Sequence, residues 1–147
     1  MVIKKILIVD DREENRIVLQ NFFSFFGKRE DILVFTAETS DEAYSIVLKE
    51  KPNLIFLDLQ IETRTSGIEI ARKIRENLPD QNITIWAITA QTIKDYNDTE
   101  TLEEKCLKAG CNKYITKPFD QKKLIIEVSK LLNIPIPEIV KQKMDIK

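Results

Sequence analysis

Five polar residues of this 147-residue chain stand where short apolar runs end. Asp10 and Asp11 follow K-I-L-I-V at 5–9, and Asp58 follows N-L-I-F-L at 53–57. Thr89 follows I-T-I-W-A-I at 83–88, and Lys117 follows K-Y-I-T at 113–116. Taken singly, an acid or hydroxyl in such a place caps the helix that follows. All five together form a different kind of set. Three carboxylates brought to one edge repel each other and raise one another's pKa values. A hard divalent cation relieves that repulsion, and Mg²⁺ suits a site of few carboxylates completed by water and phosphate. A lysine ammonium can bind a second phosphate oxygen as a point charge, and a threonine hydroxyl can hydrogen-bond a third. Such a clamp supplies positioning and charge neutralisation, most of what phosphoryl transfer requires, and leaves one carboxylate free to act as nucleophile.

What the chain lacks narrows the chemistry further. It has no histidine, which removes Ser-His-Asp and Cys-His catalysis, histidine–metal sites and any phosphohistidine of its own. Cys106 and Cys111 are two thiols alone, too few for a zinc site, and read as small packing residues near a helix end. Lys plus Arg number 23 against 24 Asp plus Glu, a net charge of −1. That balance gives no reason to expect a nucleic-acid or anionic-membrane partner. No apolar run approaches the roughly 20 residues that span a bilayer, and the N-terminus lacks the regions of a signal peptide. A cytoplasmic location is the expectation.

The elements that must position the five residues follow from the pattern. Aliphatic runs without polar alternation read as strands buried on both faces, at 5–9, 32–35, 53–57, 83–88 and 113–116. Between them lie helical stretches. Residues 12–26 place Val18, Leu19, Phe22, Phe23 and Phe26 at helical spacing before Gly27. Thr39 with Glu42, and Ser66 with Glu69, are spaced as helix caps. A polar loop at 60–65 precedes the third helix, a fourth has potential around 102–109, and a fifth runs from about 120 to 132. Alternating strands and helices predict an α/β fold, a doubly wound five-stranded parallel sheet flanked by five helices. A closed barrel would need about 250 residues. In an open sheet of this kind the site lies beyond the carboxyl ends of the strands, where all five residues fall.

I-L-I-V-D-D at 6–11, L-I-F-L-D at 54–58, W-A-I-T-A at 86–90 and Y-I-T-K-P-F at 114–119 resemble the receiver domains of response regulators in two-component signalling, the chemotaxis-regulator-like fold. The resemblance spans about residues 3–132, with 133–147 as a short C-terminal tail. It implies that Asp58 is the phosphoacceptor, charged by a sensor histidine kinase or a histidine phosphotransfer protein. It makes Asp11 a direct Mg²⁺ ligand, Asp10 a ligand through water, and the Gln60 carbonyl a further ligand. Thr89 and Lys117 would contact the phosphoryl group beside the Ala90 amide, and Lys117–Pro118 would be a cis bond. Thr89 and Tyr114 would act as the switch, presenting the fourth-helix, fifth-strand and fifth-helix face to a downstream protein. The expected role is a signalling switch rather than an enzyme, although family members assist their own phosphorylation and dephosphorylation.

The sequence departs from the family pattern in two places. The loop after Asp58 has no proline, and residues 94–103 (K-D-Y-N-D-T-E-T-L-E) lengthen the segment before the fourth helix. That insertion reads as a surface loop or as an element specific to one partner. Gln60 and Gln91, each two positions beyond a site residue, are expected to set the lifetime of the phosphorylated form. The expected form is a single-domain regulator. The alternatives are a receiver cut from a hybrid kinase or larger regulator, and a phosphorylation-silent receiver used as a scaffold. An aspartate-nucleophile phosphatase would want an acid where Gln60 stands. A flavodoxin-like electron carrier would want a Gly-rich phosphate loop where Asp10-Asp11-Arg12-Glu13 stands.

Overall fold

A computed structural model describes residues 2–63, 66–90 and 100–147. The strands are β1 (Lys4–Val9), β2 (Ile32–Ala37), β3 (Leu54–Leu57), β4 (Thr84–Ala90) and β5 (Lys113–Lys117). All pair in parallel, in the order β2-β1-β3-β4-β5. From β1 the chain first steps outward to β2, then returns past β1 to build β3, β4 and β5. That reversal opens a crevice at the carboxyl ends of β1 and β3. Every residue of β3 and the stretch from Ile6 to Val9 in β1 is buried, as their unbroken aliphatic runs require.

The helices are α1 (Glu13–Phe22), α2 (Ser40–Glu50), α3 (Ser66–Asn77), α4 (Leu102–Lys108), α5 (Gln121–Leu132) and α6 (Glu138–Met144). Two apolar layers sandwich the sheet. Ala43, Val47, Ile70, Ala71 and Ile74 close one face, and Leu19, Phe22, Leu124, Ile125 and Val128 the other. Three caps act as side-chain chemistry dictates. Thr39 accepts from the Glu42 N–H at 3.2 Å, Thr101 from Glu104 at 3.1 Å, and Asp120 from Lys123 at 3.1 Å.

The structure corrects the sequence reading in four places. The first helix is not continuous to Phe26, because it tightens into a 3-10 turn over Phe23–Phe26 and stops at Gly27, φ +82°. The tighter winding lets adjacent phenylalanines share one cluster, with Phe22 edge-on to Phe23 and Phe26. Next, Ser66 does not answer to Glu69 as a simple cap. Its hydroxyl accepts from the Glu62 and Thr63 N–H groups and donates to the Thr63 carbonyl, closing the loop onto the start of α3. That loop is not polar throughout, since Ile61 is buried with Leu59.

The last correction concerns the tail, which adds a sixth helix among the described residues. Ile134 and Val140 are buried in the α1–α5 layer, with Ile136, Met144 and Ile146 packed against it. Lys122 of α5 donates to the Asp145 carbonyl at 2.9 Å, so α6 doubles back toward the first turn of α5. Residues 133–147 thus belong to the same packed unit as the receiver-like region. Of the insertion, residues 94–99 and also Gln91 lie outside the described residues. Glu100 pairs with Lys108, and Thr101 caps α4.

Candidate phosphoryl-accepting site

The ends of β1, β3, β4 and β5 converge as their register requires. The Asp58 N–H donates to the Val9 carbonyl at 2.9 Å, and the Asp10 N–H to Ala37 at 3.1 Å. These ladder bonds set the Asp58 and Asp10 backbones at adjacent places on the crevice rim. Thr89 lies one residue before the end of β4, paired with Thr116, and Ala90 pairs with Lys117.

Four of the five residues bond to one another directly. Asp58 Oδ1 accepts from the Thr89 hydroxyl at 3.0 Å and from the Gln60 N–H at 3.0 Å. Asp58 Oδ2 faces the Lys117 ammonium at 3.3 Å, and that ammonium also contacts Asp10 Oδ2 at 2.8 Å. Asp10, 1 % exposed, has its other oxygen held by the Arg12 N–H at 3.0 Å and by Asn15 at 3.4 Å. Both Asp10 oxygens are therefore already engaged. Asp11 stands exposed beside them. Its carboxyl is pushed above the ordinary range, first by loss of hydration and then by the neighbouring charges of Asp10 and Asp58. Tyr114 is half-buried against the α2–α3–α4 layer, and burial raises its phenol pKa. Lys117–Pro118 is a cis bond.

The donor set fits a hard divalent cation. One oxygen from each of Asp10, Asp11 and Asp58 lies within 4.8 Å of the other two. Oxygen-only ligands suit Mg²⁺, and the charges of Asp10 and Asp58, which add to lost hydration in raising the Asp11 pKa, are ones a cation would relieve.

Three contributors escaped the sequence reading. Arg16 donates to the Asp10 carbonyl at 2.9 Å, and Asn15 to its carboxylate. Both lie one turn into α1, where their spacing from Asp10 was the available signal. Gly67 is the third. A Cβ there would lie 2.5 Å from the Asp58 carbonyl oxygen and from Leu59 Cα, and the Gly67 N–H donates to the Leu59 carbonyl at 3.0 Å. The first turn of α3 can press against the end of β3 only without a side chain there. Nothing in the spacing of residues 58–67 announces that contact.

Comparison with known proteins assigns the chain a family. Residues 6–129 match the family described as the response regulator receiver domain. The chain is 33 % identical over 132 residues to sporulation initiation phosphotransferase F of Bacillus subtilis, covering 90 % of this chain and 96 % of that one. It is equally similar to the phosphate regulon transcriptional regulatory protein PhoB of Pseudomonas aeruginosa, but spans only 53 % of its length. Among solved structures, a CheY-like response regulator receiver domain protein from Methanospirillum hungatei superposes with TM-score 0.70 at 25 % identity, covering 89 % of this chain and 94 % of that one. A two-component response regulator from Clostridium difficile gives 0.69 at 26 % identity, covering 88 % and 96 %.

Two relatives, PhoB and ResD of Bacillus subtilis, are named as transcriptional regulatory proteins, and the chain spans about half of each. The expectation of no nucleic-acid partner, drawn from net charge, therefore has no support from the relatives. Among the described residues no helix is long and apolar enough to cross a membrane. From its matched family, its sheet order and its strand-end residues, the chain belongs to the response regulator receiver domain family of two-component signalling.

Proposed function

We propose that Asp58 accepts a phosphoryl group from a partner's phosphohistidine, and that the modification changes the face a downstream protein recognises. The observation that carries this reading is the pinning of one carboxylate by Thr89, Gln60 and Lys117, next to two further acids. An Asp58 oxygen attacks phosphorus, the phosphorus–nitrogen bond breaks, and its electron pair returns to the donor imidazole, which then takes up a proton. The donor is a histidine kinase or histidine phosphotransfer protein, since this chain contains no histidine.

Asp11, Asp58 and the Gln60 carbonyl would hold Mg²⁺ directly. Asp10 would hold it through water, in keeping with the donors already occupying both its oxygens. When bound, the cation supplies charge neutralisation at the carboxylates and at the transferring oxygens. Lys117 then exchanges an Asp58 oxygen for a phosphoryl oxygen. Thr89, whose hydroxyl now donates to Asp58, changes acceptor in the same way. Its movement within β4 frees space for Tyr114 on β5, and the α4–β5–α5 surface passes between two packings. On this reading the chain is a cytoplasmic signalling switch that assists its own phosphorylation, not an enzyme acting on outside substrates.

Incubation with acetyl phosphate and Mg²⁺ tests the proposal. The expected result is an acid-stable, base-labile phosphate that disappears in Asp58→Asn. If no phosphate forms, the chain acts as a scaffold; if it persists in the variant, Asp58 is the wrong acceptor.

A further inference from the structure

Away from the phosphoryl site, α4 ends in a turn of defined chemistry. Gly110 adopts φ +108°, the Cys111 N–H donates to the Cys106 carbonyl at 3.1 Å, and the Gly110 N–H to Leu107 at 3.1 Å. This pair of bonds is a Schellman motif, whose geometry brings together the side chains at its two outer positions. Here those positions are Cys106 and Cys111. Both are free thiols, 0 % and 6 % exposed, so the turn holds two buried sulfurs whose titrations bear on each other.

A guanidinium is fixed beside them. Arg75 of α3 donates through Nε to the Gly110 carbonyl at 2.9 Å, through Nη1 to the Ile83 carbonyl at 2.7 Å, and through Nη2 to Asn112 Oδ1 at 2.8 Å. The approach is so close that a Cβ on Gly110 would collide with Arg75 Cγ. Packing alone asks for two small apolar side chains and not for a cation held at the turn. A fixed positive charge beside a thiol favours its thiolate, while burial of the sulfur opposes it, and of the two it is Cys111 that keeps some exposure. The neighbouring Cys106 thiol and the Arg75 charge draw the Cys111 pKa below its usual value, while the neighbouring thiol and burial push the Cys106 pKa up.

We propose that Cys106 and Cys111 form a redox-active dithiol that hydrogen peroxide converts to an intramolecular disulfide, with Cys111 as the attacking sulfur. The Cys111 thiolate attacks one peroxide oxygen. The O–O bond breaks, giving a sulfenic acid and a hydroxide that takes up the thiol's proton as water. Cys106 sulfur then attacks Cys111 sulfur, expelling the hydroxyl, which leaves as water with the Cys106 proton. Two thiols lose two electrons and two protons, and one peroxide becomes two waters. The product would fasten the end of α4 to the turn that enters β5, two residues before Lys113 and three before Tyr114.

The test uses the full, reduced and folded chain. It is treated with hydrogen peroxide, then unfolded, alkylated and measured by intact mass and peptide mapping. The expected product is two hydrogens lighter, with Cys106 joined to Cys111 in the monomer. In C106S, dimedone should capture a sulfenic acid at Cys111, whereas in C111S the thiol of Cys106 should stay reduced over the same time. Thermal melts establish that each variant is folded, and if one is not, the unsubstituted chain decides alone. Thiols that react only when urea unfolds the chain would overturn the proposal, leaving a packing pair. Disulfides formed solely between chains, or a sulfenic acid first at Cys106, would overturn it equally.

Discussion

The Lys117 ammonium rests 2.8 Å from Asp10 Oδ2, closer than the 3.3 Å that separates it from Asp58. One cation thus serves two nearly buried carboxylates before any phosphoryl group arrives. Lys117→Ala removes that charge and leaves Asp10 and Asp58 facing each other. We expect a loss of about 1–3 kcal/mol in Mg²⁺-free buffer, since partnered buried charges are costly to orphan. Saturating Mg²⁺ should restore part of it. Thermal melts with and without Mg²⁺ measure both effects, and an unchanged melting temperature in Mg²⁺-free buffer would contradict the pairing.

Asp11 behaves in the opposite sense. Its folded carboxyl holds a proton more tightly than a free aspartate, whose pKa is 3.8, because of lost hydration and the charges of Asp10 and Asp58. Its favourable contribution is complete below pH 3.8 and is lost as pH rises through the raised value; above that, ionised Asp11 opposes folding. Asp11→Asn should therefore stabilise the Mg²⁺-free protein at neutral pH. Solvent screening limits the gain to less than about 1 kcal/mol. The two proteins should melt alike below pH 3.8, and the variant should lose most of the stabilisation that Mg²⁺ gives the original chain. A series of melts across pH checks all three.

Gly67→Ala tests how α3 is seated. The added methyl would lie 2.5 Å from the Asp58 carbonyl and Leu59 Cα, both backbone atoms with little freedom to move. A cost of about 1–3 kcal/mol is expected from the forced shift. Because the same shift moves Asp58 and Gln60, acetyl phosphate labelling should slow by more than the stability loss accounts for. Labelling at a temperature where both proteins are fully folded separates the two effects.

Val140→Ala tests whether α6 contributes to the core. Val140 is 9 % exposed and packs into the α1–α5 layer. Truncating it should cost about 1–2 kcal/mol, the range for removing buried methyl groups. Urea denaturation gives the value. A neutral result would mean that α6 rests on the domain without adding to its stability.

Much of this arrangement was readable from residue order because buried parallel strands must be aliphatic and must end where the polar chemistry begins. Asp10, Asp58, Thr89 and Lys117 could be placed together for that reason. Other features depend on contacts between distant backbones, which no local pattern encodes. Gly67 matters through the approach of α3 to β3, a backbone contact that residue order does not announce. The helix α6 was missed because Pro135 and Pro137 interrupt the tail just before it, although Pro137 stands at its N-cap. Its buried face amounts to little more than Val140, too little to produce a periodic signal.

The span between Asp10 and Lys117 has a consequence for how the chain becomes competent. The ammonium that neutralises Asp10 lies 107 positions away, on an edge strand, and it reaches Asp58 across 59 positions. Contacts of such separation form only when the intervening chain has been ordered. A nascent or partly assembled chain carries Asp58 and both of its acidic neighbours but lacks their common counter-charge. Asp58 then sits in unrelieved negative charge, which on the proposed function would disfavour an incoming phosphoryl donor. On the proposed function, completion of the sheet at β5 is therefore the step that would make Asp58 competent as an acceptor.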